Sequence, residues 1–163
     1  MESRVKIFGH PVHPMLIVLP LGLFVAAIVF DAIYLWRGFS TLRTVGFWNI
    51  AGGIIGGLVA AIFGLIDWLA IPTRTRAKTI GIWHALSNVA AIIVFAFVFW
   101  TRYSTRAFAT TPGLFALEIA ALIIALVGGW LGGELVDRLG VGVDTDANLN
   151  APNSLSGRRV RAA

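Results

Sequence analysis

Cysteine is absent from this chain of 163 residues. That excludes disulfides, thiolate metal sites, iron–sulfur clusters and covalent c-type haem attachment. Charge is scarce as well. Only 13% of residues are Asp, Glu, Lys or Arg, against about a quarter in an ordinary soluble domain. Acid is scarcer than base, so the formal net charge is +5. A basic balance can mean nucleic acid. Here the Lys and Arg residues stand between apolar runs, where the positive-inside bias of membrane proteins puts them, and no nucleic-acid partner is expected.

What fills the chain is apolar: 58% hydrophobic residues and a mean hydropathy of +0.84. Four long apolar runs at about 15–36, 47–71, 80–101 and 113–136 are each long enough to cross a hydrocarbon core of about 30 Å. The expected fold is all-α, a membrane-spanning four-helix bundle with both termini on one side. It is led by a polar segment at 1–14 and followed by a polar, flexible tail at 137–163. The first run is too long for a signal peptide and has no small-x-small cleavage site before Arg37. No internal repeat is evident. The lipid bilayer is the first partner implied.

Lysine and arginine counts set the orientation. The N-terminal lead, the second loop and the tail hold Arg4, Lys6, Arg74, Arg76, Lys78, Arg138, Arg158, Arg159 and Arg161. The other loops hold Arg37, Arg43, Arg102 and Arg106. The excess places the termini in the cytoplasm of an inner-membrane protein. Trp36, Trp48, Trp68, Trp83 and Trp100 fall toward the ends of the runs, as interfacial anchors do. The second run carries Gly52, Gly53, Gly56, Gly57 and Gly64, and the fourth carries Gly128 and Gly132. Such small residues let helices approach closely in lipid, within the bundle or in self-association.

The polar exceptions gather at the expected cytoplasmic mouth. Gly9-His10-Pro11-Val12-His13-Pro14 puts two histidines between prolines, which fix φ and bias the preceding residue away from the helix. The spacing predicts an extended, polyproline-like entry that turns helical at Pro14. It would show both imidazoles on one side, with Cα atoms about 9 Å apart. Asp67 lies about one turn before the end of the second run, and His84 and Asn88 share a face near the start of the third. Glu134 ends the fourth. Ionisable groups in spans are costly and mark functional sites by default.

His10, His13, His84 and Asp67 are therefore candidate ligands, with Asn88 and Glu134 supporting them. A b-type haem, a quinone or a divalent metal are the candidate cofactors. The alternative is a structural subunit whose histidines brace the helix entry. Asp31 and Glu118, toward the far ends of their runs, are expected to pair with Arg37 or Arg102. No nucleophile–base pair or phosphate loop is present, so catalysis is not expected. The apolar middles of runs one, three and four argue against solute transport.

The HPVHP entry, Leu19-Pro20-Leu21-Gly22, Asp31, Gly64-x-x-Asp67, His84-x-x-x-Asn88 and the ending Gly132–Val143 together resemble the bacterial membrane family called domain of unknown function 2231. The likeness covers about residues 8–143. It implies a four-helix integral membrane module without an established activity. Relatives joined to Rieske-type or c-type cytochrome domains imply a membrane redox setting with other redox proteins as partners. That would carry over to His10, His13 and His84 as ligands.

Overall fold

The computed structural model describes residues 1–156. A two-stranded antiparallel hairpin, β1 (Lys6–Ile7) and β2 (His10–Pro11), leads into the helices. These are α1 (Val12–Leu16), α2 (Val18–Arg37), α3 (Ser40–Ala70), α4 (Arg76–Ser104) and α5 (Pro112–Gly133), the last continued by a π-helical turn at Glu134–Arg138. Counting α1 with α2, and α5 with the π turn, four helical segments are long and apolar enough to cross a membrane: Val12–Arg37, Ser40–Ala70, Arg76–Ser104 and Pro112–Arg138. Each outruns its apolar core because polar residues at the ends, such as Ser40–Thr44 and Arg76–Thr79, stay helical beyond the apolar stretch.

The entry differs from the polyproline expectation. Phe8 and Gly9 take positive φ values of 52° and 83° and turn the hairpin. Pro11 is extended, and the helix begins at Val12. Pro14 then falls in the first helical turn, where backbone N–H groups have no partner within the helix, so its missing donor costs nothing. His10 consequently lies on the hairpin and His13 on the helix. Pro20 denies the Leu16 carbonyl its partner, and the helix is interrupted at Ile17 between α1 and α2.

Small residues set the packing. α2 lies closest on α3, and α4 on α5. A Cβ at Gly53 would strike the Phe24 ring, one at Gly56 would press on Pro20, and one at Gly57 would meet Ile92. Few large side chains are buried, chiefly Phe24, Phe47, Ile50, Phe95 and Val98. The outer faces carry Leu58, Ile62, Ile93, Trp100, Ile123 and Trp130, all exposed. This is the inside-out distribution of a bundle whose solvent is lipid, where close packing replaces the hydrophobic effect as the main force between helices.

The two helix pairs repeat each other, a relation the sequence alone did not disclose. His13 and His84, Phe24 and Phe95, and Asp31 and Arg102 are each 71 residues apart. Each pair meets across the seam between halves. The imidazole centroids are 6.1 Å apart, the phenyl rings stack at 3.9 Å with planes 1° apart, and Arg102 bonds Asp31 at 2.6 Å. In α3 and α5 the buried pairs Ile50 and Glu118, Gly53 and Ala121, and Ala60 and Gly128 all differ by 68 (for instance 60 to 128). Equivalent residues meeting their own equivalents indicate a pseudo-two-fold axis along the bundle, the relation of parallel repeats in membrane proteins.

The N-terminus meets residues 140–142 at one mouth. The Met1 amine donates to the Gly140 carbonyl at 2.7 Å, and the Gly142 amide donates to the Met1 carbonyl at 2.8 Å. The N-terminus and residues 140–142 therefore lie on the same side of the bundle. Over 137–156 the expected tail consists of the π turn's last residues and short turns. The rest of that expectation, and Arg158, Arg159 and Arg161 in the orientation count, lie outside the described residues.

Candidate functional site

At the mouth near the termini, the pseudo-two-fold axis passes between two imidazoles. His13 Nδ1 lies 2.9 Å from the Ala60 carbonyl oxygen of α3. His84 Nδ1 lies 2.8 Å from the Gly128 carbonyl oxygen of α5. The two bonds are copies of each other under the repeat. A carbonyl only accepts, so Nδ1 is the donor in both rings, and the neutral imidazole then presents an unprotonated Nε2. Neither Nε2 has a hydrogen-bond partner among the described residues. The ring planes stand 84° apart.

Glycine makes room for both rings. A Cβ at Gly64 would come 2.8 Å from His13 Cε1, and one at Gly132 would come 3.1 Å from His84 Cε1. Gly64 and Gly132 are again 68 residues apart. Asn88, one turn beyond His84, donates to the His84 carbonyl at 2.8 Å, and its amide lies over Gly128, where a Cβ would strike it. Each imidazole is thus fixed by a carbonyl and a glycine of the neighbouring helix, with the second nitrogen left over.

The other candidates lie elsewhere. Asp67 is engaged by the N-terminal lead: the Ser3 hydroxyl oxygen lies 2.9 and 2.7 Å from its two oxygens, and the Arg4 amide donates to it at 2.7 Å. His10 is exposed on the hairpin. Glu134 accepts from Arg76 at 3.0 Å. Among the described residues no three His, Asp or Glu side chains come together as a metal site. Of the four expected ligands the structure brings His13 and His84 together, with Asn88 beside them, and places His10 and Asp67 in other contacts. Of the tryptophans, Trp36, Trp48, Trp83 and Trp100 are exposed. Trp68 instead donates to the Lys78 carbonyl at 3.2 Å and lies beneath its ammonium.

A second polar centre lies at the opposite end of the axis. Arg102, Asp31 and Glu118 all have side chains with no solvent exposure. Arg102 grips Asp31 through two bonds, Nη1 to Oδ2 at 2.6 Å and Nη2 to Oδ1 at 3.0 Å. Its Nη1 also donates to Glu118 Oε1 at 3.1 Å. Backbone carbonyls of Arg43 and Phe108 take its remaining donors, and the Thr110 hydroxyl donates to Glu118 Oε1 at 3.1 Å. Gly46 gives the Asp31 carboxyl its space. Both acids were expected to pair with Arg37 or Arg102; they share Arg102, while Arg37 lies over Trp36 and Phe39.

From His13 to Asp31, and from His84 to Arg102, is five helical turns, or about 27 Å. The two centres therefore stand near opposite faces of a hydrocarbon core of about 30 Å. Two polar ends, four apolar spans and an HPVHP entry agree with what a comparison with family models finds. The description "Predicted membrane protein (DUF2231)" matches residues 9–145. The chain belongs to the DUF2231 family. The matched region contains the histidine pair, its two glycines, the buried charge centre and both halves of the repeat. No curated protein and no solved structure matches the chain.

Proposed function

We propose that this member of the DUF2231 family is a redox-linked inner-membrane module in which His13 and His84 would together hold the iron of one b-type haem. The observation that carries the reading is the paired imidazoles, each with Nδ1 tied to a carbonyl and Nε2 without a partner. Two protein ligands are too few for a structural divalent metal, which wants about four. They are what haem iron asks for, because the porphyrin provides the other donors.

The surrounding residues fit that use. The carbonyls of Ala60 and Gly128 fix each ring's tautomer and rotation, as partners of metal-bound histidine do. Gly64 and Gly132 let each ring sit close against the neighbouring helix. Bound haem would supply one-electron transfer near the face that carries the termini. The basic residues Arg74, Arg76 and Lys78 on that side support cytoplasmic termini, and other membrane redox proteins are the partners such a carrier needs.

The same hydrogen bonds favour a second reading. Imidazoles bonded to carbonyls across helices can simply brace the bundle, at about 1 kcal/mol each. Absorption spectra of the purified chain after haem supplementation separate the two. The haem reading expects a Soret band that shifts on reduction, is lost in His13→Ala and in His84→Ala, and is weakened in Gly64→Val. No Soret band in a folded, supplemented protein would leave only the bracing role.

A further inference from the structure

The charge centre at the far end has one cation for two carboxyl groups. Arg102 has five N–H donors, and its bonds to Asp31, Glu118, Arg43 and Phe108 occupy all of them. Glu118 Oε1 receives Arg102 and Thr110. Glu118 Oε2 is buried and has no partner among the described residues. The other cations at this end are Arg37, over Trp36 and Phe39, Arg106, over Tyr103, and Arg43 of α3, whose Nε is buried without a partner among the described residues. A lone carboxylate oxygen in a dry interior is costly, and with all three groups ionised the Asp31–Arg102–Glu118 set carries one uncompensated negative charge.

We propose that the Asp31–Glu118 pair is a proton-binding site, holding one exchangeable proton on Glu118 at the membrane face opposite the histidines. Uptake forms an O–H bond at Oε2 with a proton from water at that face, and release breaks it; no other group is consumed. Each Asp31 oxygen accepts a single bond from Arg102 and keeps a lone pair, so the neighbouring carboxylate can accept the new hydroxyl. Arg102 holds the two acids together in both states. The repeat sharpens the point. The α3 equivalent of Glu118 is Ile50, buried in the same way, so a carboxyl at this position is not needed to pack the bundle.

Access is governed by the segment 105–111. Phe108 and Arg106 adopt positive φ values of 54° and 57°, a strained choice for bulky residues. That conformation places the Phe108 carbonyl on Arg102, and its ring 4.6 Å from Phe47, over the charge centre. Water reaches Glu118 when this plug lifts.

Infrared difference spectra of the full chain in detergent, recorded between acid and alkaline pH, test the proposal. The expected result is a carboxylic-acid C=O band that titrates, shifts in D2O and disappears in Glu118→Gln. Thr110→Val, which removes a hydroxyl donor from Glu118 and leaves both carboxyl groups in place, should move the band without abolishing it. That second variant serves if Glu118→Gln does not fold. Phe108→Ala should speed exchange of the band in D2O. A wild-type protein with no such band at any pH where it stays folded overturns the proposal. So does a band that neither titrates nor exchanges, or one unaltered in Glu118→Gln and Thr110→Val.

Discussion

Arg102 is the residue on which one end of the molecule depends. Its guanidinium joins α2, α3, α4, α5 and the 105–111 segment through charge-assisted bonds in a site closed to solvent. Removing it leaves two carboxyl groups facing each other without a cation. Losing one partner of a buried ion pair costs about 3–5 kcal/mol. Arg102→Gln is therefore expected to lower the unfolding midpoint in detergent sharply. Arg102→Lys should recover only part of the loss, because an ammonium cannot fork across one carboxylate. Equal stability of Arg102→Gln and the parent would refute this role. The sequence hinted at the pairing by placing Asp31 and Glu118 near arginines. It could not show that both share one, since spacing along separate helices does not give their rotation about each other.

Among the elements, the helices were legible and the hairpin was not. Unbroken apolar runs announce spans, but two strands of two residues carry no periodic signal, and HPVHP reads equally well as an extended entry. The hairpin is held by a clasp outside the spans. The Lys6 ammonium bonds Glu2, lies 3.7 Å from Asp144, and Glu2 also accepts from Thr145. The Lys6 bond, then Thr145, hold the Glu2 carboxyl below its usual range, and Glu2 in turn raises Lys6. The Glu2 contribution is present above the ordinary carboxylate pKa and is lost as pH falls through the lowered folded value. The Lys6 contribution is complete below the ordinary lysine pKa and is lost as pH rises through the raised one. Between these limits the clasp should stay shut. Hydrogen exchange is expected to show hairpin amides protected at neutral pH and released toward both extremes, while Lys6→Ala releases them at neutral pH and leaves the helices unchanged. The clasp explains why His10 stays outside the imidazole pair: it belongs to the element being clasped, not to the span.

At the scale of the whole molecule the repeat is the main finding, and two features hid it from the sequence. The first and third spans correspond at an offset of 71, the second and fourth at 68, so no single shift aligns both. The residues that coincide, such as Phe47 with Phe115, Leu58 with Leu126 and Gly64 with Gly132, are common in any apolar helix. Only contacts across the axis make the correspondence visible. The symmetry predicts the behaviour of a charge exchange. Asp31→Arg and Arg102→Asp should each destabilise the bundle severely, by placing two like charges together in the interior. The double variant should regain a substantial part of the loss, because the two positions are equivalent about the axis. Thermal unfolding of the three variants measures this coupling, and a double variant no better than the worse single one would argue against the equivalence.

The axial pairs also decide which halves can associate. Two copies of the first half, packed on each other in the same manner, would join histidine to histidine and phenylalanine to phenylalanine without penalty. They would also force aspartate against aspartate, and two copies of the second half would force arginine against arginine. Like charges so buried oppose both assemblies, and only the unlike pairing closes. Asp31 and Arg102 thus act as a key that makes each half reject its own twin, so that two nearly interchangeable helix pairs assemble in one combination alone.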